Sequence, residues 1–388
     1  MARRSTARPL PLLSNEGESF TFSNIDYVQE VVHRIDQRAS GQILADDLVT
    51  NLKSSDRDRY LISSLIEEAI RSSQLEGAAT TRRVAKEMIQ NERAPRTRGE
   101  QMILNNYRAI REAQTLALSD EPLTPDSILD LHRIVTEDAI DDPKDAGRMQ
   151  EPGEERIVVR WNDQLILHRP PNAEELPGRL RQLCDFANGA GYEGFLHPVV
   201  RAIVVHFWLA YDHPFVDGNG RTARALFYWT MLREDYWLTQ FLSISSILTK
   251  APGKYAESYL HTETDNSDMT YFVVDQLGVI ERAIAALEEY LRRKVSETRK
   301  IETRLQGAQV LNHRQLTVVG DALRDPSAPF TIKAQSTRHN VTYQPARTDL
   351  LGLVDVGLFT KQKTGKRFVF RPAPDLPSQL DTLAADSQ

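Results

Sequence analysis

The chain has a single cysteine, Cys184, in 388 residues, so no internal disulfide holds it together. One thiol fits a reducing compartment. Cys184 sits in the amphipathic stretch Leu180-Arg181-Gln182-Leu183-Cys184-Asp185-Phe186 and reads as a small core residue rather than a reactive thiol. No uninterrupted apolar run approaches the length of a membrane span. Arg3, Arg4 and Arg8 precede Pro9-Leu10-Pro11-Leu12-Leu13, which is too short and proline-broken for a signal peptide and reads as an extended arm. These absences predict a cytoplasmic protein without membrane contact. An excess of positive charge is missing too. The formal net charge of −6 excludes polyanion binding by bulk electrostatics, although a local basic patch is compatible with it. There is no internal repeat and no phosphate loop ending in Gly-Lys-Ser/Thr. What is there is an ordinary globular composition, 40% hydrophobic and 26% charged, long enough for two or three domains.

Helical periodicity dominates. From Arg57, the residues Leu61, Ile62, Leu65, Ile66, Ala69 and Ile70 recur at three- and four-residue spacing, and Gly77 stops the helix. A second helical pattern covers about 100–118. A third starts after Thr124-Pro125-Asp126, where Thr124 can cap and Pro125 suits the first turn. Between about 153 and 171 the pattern changes. Ile157-Val158-Val159 and Leu165-Ile166-Leu167 flank Asn162-Asp163 and predict a β-hairpin. Helices resume from Glu174, with a strongly apolar one over His197 to Tyr211, another over about 221–232 and a long one over about 271–294. Glu297 to Arg304 reads as a charged helical linker. Residues 311 to 371 predict two helices and then two short strands, Leu358–Gln362 and Arg367–Arg371, joined at Thr364-Gly365. That order suits a winged helix. The segment from Pro372 is rich in Pro, Asp and Ser and predicts a loose tail.

The informative string is His213-Pro214-Phe215-Val216-Asp217-Gly218-Asn219-Gly220-Arg221-Thr222-Ala223-Arg224. It joins two apolar helices. Gly218 and Gly220 let the backbone approach a ligand and expose its N–H groups. A helix starting near Gly220 brings its positive dipole end to the same place. Arg221 and Arg224 are three apart, on one face of the first turn, and suggest a polyphosphate. Asp217 suits a Mg²⁺ that bridges phosphate oxygens. His213 can accept a proton near neutral pH. The plain structural alternative is an inter-helix loop with a glycine turn and surface arginines. The co-occurrence of His, Asp, Asn, two Gly and two Arg favours the chemical reading.

This string resembles the signature of the Fic family, His-Pro-Phe-x-Asp/Glu-Gly-Asn-Gly-Arg-x-x-Arg, at every fixed position. The resemblance extends through the upstream helix and Ala225-Leu226-Phe227-Tyr228-Trp229, takes in the hairpin as the family's flap, and covers most of residues 10 to 295. It implies a mainly α, Fic-type helical bundle. It also implies a protein adenylyltransferase that moves AMP from ATP to a Ser, Thr or Tyr hydroxyl of a target protein, the enzyme itself being one such target. His213 would be the general base and Asp217 would hold Mg²⁺. Gly218, Asn219 and Gly220 would form the anion nest, Arg221 would bind the β-phosphate region and Arg224 the γ-phosphate. Phosphate or phosphocholine transfer on the same fold is the chemical alternative, and a DNA-binding regulator whose Fic domain senses nucleotide is another.

One position departs from the family pattern. Before the base stands Asp212, where an apolar residue is usual. Two readings apply: an acidic neighbour that raises the pKa of His213, or a side chain facing solvent. The flap resemblance places Val158 and Val159 near a target strand. Tyr255 and Tyr259, one turn apart, approach the adenine or pack in the core.

Ser72-Ser73-Gln74-Leu75-Glu76-Gly77 ends the helix of about 57–77. Ser72 and Glu76 are four apart and share a face. The segment resembles the inhibitory motif Ser/Thr-x-x-x-Glu-Gly/Asn of many Fic proteins. The resemblance implies that Glu76 pairs with Arg224 in place of the γ-phosphate, and allows a second role in removing AMP. A plain exposed glutamate at a helix end is the alternative.

Thr331 to Arg371 carries eight Lys or Arg against Asp349 and Asp355 only. A winged helix with this balance suits nucleic acid; protein recognition or homodimer packing suits the same fold equally. The expected organisation is an N-terminal helical region (1–120), a Fic core (121–296), a winged-helix domain (297–372) and a tail (373–388).

Overall fold

The computed structural model describes residues 7–40, 54–119, 121–161, 165–307, 311–324, 328–339, 341–364 and 367–385. They fall into two units, Met1–Glu289 and Tyr290–Gln388.

The first unit opens with strand β1 (Arg8–Leu13), antiparallel to β2 (Ser19–Phe22). The proline-rich stretch read as an arm is thus a strand, because Leu10 and Leu12 alternate onto the core and are buried. Helix α1 (Asp26–Ile35) follows. Helix α2 (Ser54–Leu75) buries Leu65, Ile66, Ala69 and Ile70 and ends at Gly77, whose φ of 89° is a left-handed value that suits glycine. Helix α3 (Arg82–Gln90) and α4 (Arg98–Leu118) come next, each capped by a threonine side chain, Thr81 and Thr97. Helix α5 (Pro125–Thr136) starts as its sequence predicts, with Thr124 accepting from the Ser127 N–H and Pro125 in the first turn.

The hairpin is shorter than its apolar pattern suggests: β3 (Val159–Trp161) pairs with β4 (Leu165–His168), and its turn at Asn162-Asp163 lies outside the described residues. Ile157 stays out of the ladder because its N–H donates to the Gln150 side chain. Helix α6 (Leu176–Ala187) leads to α7 (Pro198–Asp212) and α8 (Asn219–Arg233). These last two are buried on almost every face, as helices in the middle of a bundle must be. Helix α4 packs against α2, α5 and α8. Cys184 is buried on α6, and burial pushes its thiol up to about 12, so it is inert core. A short helix α9 (Ser245–Leu248) and α10 (Pro252–Thr264) precede α11 (Thr270–Gly307), one continuous helix that takes in the stretch read as a linker.

The second unit contains α12 (His313–Arg324), α13 (Ile332–His339), α14 (Tyr343–Asp355), and the hairpin β5 (Phe359–Thr364) and β6 (Arg367–Pro372). Phe330 adds an antiparallel bridge to Phe370 of β6. Leu350, Leu353, Phe359 and Phe370 lie in its core. The tail is not loose. Leu376–Ala385 forms helix α15, because Leu376 and Leu380, four residues apart, bury themselves in that core. Among the described residues no helix is long and apolar enough to cross a membrane.

Candidate active site

The site forms where α7 ends and α8 begins. His213 terminates α7 in a left-handed conformation, φ 45° and ψ 53°, with its N–H on the Leu209 carbonyl. Few side chains adopt this region without tertiary support. The conformation brings Nδ1 to 3.2 Å from the Ala210 carbonyl oxygen. A carbonyl only accepts, so Nδ1 carries the proton and Nε2 is the basic nitrogen. Burial pushes the imidazole down to about 4. The Ala210 carbonyl and Glu76 work against that, while His168 and Arg156 add to it. His213 is therefore a neutral base at any pH near 7.

The turn after His213 is held by side chains of the motif itself. Asn219 is buried; its Oδ1 accepts from the Phe215 N–H at 2.9 Å and its Nδ2 donates to the Phe215 carbonyl at 2.8 Å. Its amide is thus spent on the loop, and only its backbone N–H remains for a ligand. Gly218 has φ 84°, and a Cβ there would meet Thr136, Val135 and His132 at 3.0 to 3.3 Å. The first intrahelical donor of α8 is the Thr222 N–H, which reaches the Gly218 carbonyl. The N–H groups of Asn219, Gly220 and Arg221 therefore precede the helical ladder, the arrangement that suits an anion.

Asp217 accepts from the Gly218 N–H and, at 3.1 Å, from Nη2 of Arg221; Arg98 stands 3.6 Å from its other oxygen. Among the described residues no group of three or more His, Cys, Asp or Glu gathers as a metal cage. A lone, partly exposed carboxylate beside an anion-binding turn instead fits Mg²⁺, which usually takes one or two carboxylates and completes its shell with phosphates and water.

The two motif arginines part company. Arg221 is fully buried, donating to the Val135 carbonyl and Asp217, with its Nε unpaired. Arg224 is buried against α2. Its Nε donates to Ser72 Oγ at 2.7 Å, and its Nη2 donates to the Ser72 carbonyl at 3.0 Å and to Glu76 Oε1 at 2.7 Å. The Glu76 carboxylate also lies over Gly220: a Cβ at that position would stand 2.2 Å from Oε1. Ser72, Glu76, Gly220 and Arg224 are thus gathered at one point, and Glu76 is near enough to His213 to act on its protonation. Gly77 serves the backbone turn that follows.

Asp212 follows neither of its expected readings. It is buried, not facing solvent, and its Oδ1 accepts from Arg179 at 2.7 Å and its Oδ2 from the Trp208 indole at 3.0 Å. Its carboxylate is spent on Arg179 and Trp208, and the expected rise in His213 does not occur: burial of the imidazole shifts it down. Burial raises Asp212 to about 6, with Arg179 opposing. Tyr255 and Tyr259 pack with Phe207 and Phe272, and their hydroxyls meet 3.1 Å apart, with Tyr255 also on His206.

Three supporting residues carry no sequence signal. His132 stacks on Phe215 with ring centres 3.7 Å apart, accepts the Gly147 N–H at Nδ1 and donates from Nε2 to the Asp217 carbonyl. On α5 it reads as one more histidine on an apolar face. Arg156, in a charged string, donates to the carbonyls of Pro171, Asp212 and His213. Glu68 is buried on α2 and accepts from Ser243 Oγ and from the N–H and Oγ of Ser245, fixing α2 beside the site.

Residues 122–231 match the Fic/DOC family model. The chain is 35% identical over 122 residues to a protein adenylyltransferase Fic of Nematostella vectensis, which covers 31% of this chain and 26% of that one. It is 32% identical over 123 residues to protein adenylyltransferase fic-1 of Caenorhabditis elegans, covering 31% and 22%. The match thus spans about a quarter of the length of these relatives. The fold is that of a Fic family protein from Desulfovibrio desulfuricans G20, with a TM-score of 0.58 at 17% identity, covering 91% of this chain and 98% of that one. The stretch that carries His213 to Arg224 thus matches the Fic/DOC family model and is similar to protein adenylyltransferases Fic.

Proposed function

We propose that this chain is a protein adenylyltransferase that Glu76 holds in check. The observation that carries the reading is the position of the Glu76 carboxylate: bonded to Arg224, laid over Gly220 and within electrostatic reach of His213. A carboxylate in that place stands where a phosphate of ATP would meet the same guanidinium and the same helix start.

In this reading the first-turn N–H groups of α8 receive phosphate oxygens and Arg224 receives the terminal phosphate once Glu76 yields. Arg221, buried and tied to Asp217, orients that carboxylate and adds positive charge beneath the turn. Mg²⁺ held by Asp217 would neutralise phosphate charge. A Ser, Thr or Tyr hydroxyl of the target attacks the α-phosphorus. Its proton passes to Nε2 of His213, the bond to the bridging oxygen breaks, AMP stays on the target and pyrophosphate leaves. The site contributes positioning and fixed charge rather than covalent chemistry. Incubation with ATP labelled at the α- or the γ-phosphate tests this. Retention of the α-label supports AMP transfer; retention of the γ-label alone refutes it in favour of phosphate transfer, and no label in any variant supports nucleotide sensing.

A second reading concerns the other unit. Helix, a one-residue bridge at Phe330, helix, helix and hairpin follow the order of a winged helix. Exposed Tyr343, Gln344 and Arg347 at the start of α14 are followed by exposed Lys361 and Lys363 on β5. Asp349, one of only two acidic residues in the stretch, is withdrawn into a pair with Arg314. That leaves a cationic surface suited to phosphate backbone, and nucleic acid is the partner this unit would take.

A further inference from the structure

The left-handed backbone of His213 needs support from outside the motif. Its N–H and Nδ1 are anchored on α7 itself. The carbonyls on either side of its Cα, those of Asp212 and His213, are end carbonyls of α7 with no place in the helical ladder. Both accept from one nitrogen, Nη2 of Arg156, at 2.8 and 3.1 Å. The rest of that guanidinium reaches the base of the hairpin: Nε donates to the Pro171 carbonyl at 2.8 Å and Nη1 to the Gln150 side chain. Gln150 closes the ring by donating its own N–H to the Pro214 carbonyl at 2.8 Å. One planar fork therefore links both ends of the hairpin segment to the backbone that carries the base. A lysine, a single ammonium on a flexible stem, cannot reproduce this pattern.

We propose that Arg156 is a positioning residue for the reaction: it clasps His213 in its left-handed backbone and makes the aim of Nε2 depend on how the hairpin is seated. The proposal rests on His213 acting as the base. Its first consequence is a split between binding and chemistry. Arg156 touches none of the residues gathered around Glu76 and Arg224, so nucleotide binding should survive its loss while the transfer step suffers. Its second consequence concerns protonation. The groups acting on the imidazole are the Ala210 carbonyl on α7, Glu76 on α2, His168 on β4 and Arg156 itself. Removing the guanidinium takes away one cation, and a loosened loop admits water, so both changes favour the protonated ring.

The test uses the full chain in a Glu76→Gly background, with Arg156→Lys, Arg156→Ala, and Arg148→Gln as a neighbouring control. Arg148 lies in the same segment but pairs with Asp145 and Glu154 and donates to the Met149 carbonyl. Expected for Arg156→Ala is a loss of about a hundredfold in kcat for α-label transfer, the scale of an ångström-level misplacement, with KM for ATP within about twofold. Arg156→Lys should recover little, and millimolar guanidinium ion should restore part of the Ala variant's rate. The imidazole of His213, titrated by NMR, should move up in both Arg156 variants and not in Arg148→Gln. The NMR reading does not depend on which group is transferred, so it separates failure of this proposal from failure of the adenylyltransferase reading. Full activity in Arg156→Lys with an unmoved His213 titration would overturn the clasp. So would loss of activity in Arg156→Ala through KM for ATP alone.

Discussion

Nη2 of Arg224 lies 2.7 Å from Oε1 of Glu76, across 148 residues of sequence, and the same guanidinium takes both the hydroxyl and the carbonyl of Ser72. The guanidinium is 2% exposed and the carboxylate 27%. A charge-assisted bond in such a place is worth more than one on the surface, and a buried arginine needs it. An anion such as a phosphate suits the place that Glu76 holds.

The first prediction follows from that pairing. Glu76→Gly should raise self-labelling from α-labelled ATP by about ten- to a hundredfold, the equivalent of one charged hydrogen bond. Arg224→Ala should lose productive binding even in that background. A time course of label on the protein decides, and equal labelling of wild type and Glu76→Gly at equal bound ATP refutes the inhibitory role.

The second concerns the base and its pH dependence. His213→Ala should bind ATP but lose about two to four decades of transfer rate. Because His213 sits at about 4 rather than its ordinary value, the rate should hold as pH falls through 6 and decline only near 4 to 5. An acid limb centred at 6.5 would contradict the protonation assigned here.

Acid stability should run the other way. His132, His206 and His213 are each pushed down by burial, to about 4, 3 and 4. A histidine lowered on folding binds fewer protons in the native than in the unfolded chain. Its contribution is complete above about 6.5 and lost as pH falls toward the folded value. Asp212, raised to about 6, and Glu68, raised by burial, act oppositely in acid but are fewer. Thermal melts should therefore show Tm falling between pH 7 and pH 5; a constant or rising Tm speaks against buried neutral histidines.

The two glycines of the motif should respond differently to alanine. At Gly218 a side chain meets backbone strain and the packed residues Thr136, Val135 and His132, so Gly218→Ala should cost about 1–3 kcal/mol of stability. At Gly220 the added methyl meets the tip of Glu76, which can move. Gly220→Ala should keep Tm within a few degrees yet block nucleotide at the helix start. Denaturant melts paired with ATP-binding calorimetry measure both; similar stability losses in the two variants would remove the distinction.

For the C-terminal unit, binding of duplex DNA by the full chain should weaken steeply with salt. Replacing Lys361 and Lys363 by glutamine should reduce the slope of log K against log salt by about two. Absence of binding at low salt decides for a protein contact.

Much of this was legible in residue order. Helix ends at Thr124 and Gly77 follow from capping and from backbone freedom, which are local properties. The two glycines and Asn219 of the turn that presents the first N–H groups of α8 were legible too, although His132, Gln150 and Arg156, which hold its carbonyls, lie outside that string. Helical spacing alone put Ser72 and Glu76 on one face, and a known family pattern suggested their partner. Spacing alone could not tell the two arginines apart, since three residues say only that they share a side of the helix; the family pattern alone singled out Arg224 as the partner of Glu76. The packing of α5 and α2 against α8 gives Arg221 to Asp217 and the Val135 carbonyl, and Arg224 to Glu76. The sequence could not orient Asp212 either, since being adjacent to His213 says nothing about a buried Arg179 beneath α7. Nor did it mark Arg156 or His132, whose partners are main-chain atoms far along the chain, and a backbone carbonyl leaves no trace in sequence. Local chemistry was written in residue order; which group each charge answers to was decided when the helices packed and water was removed from between them.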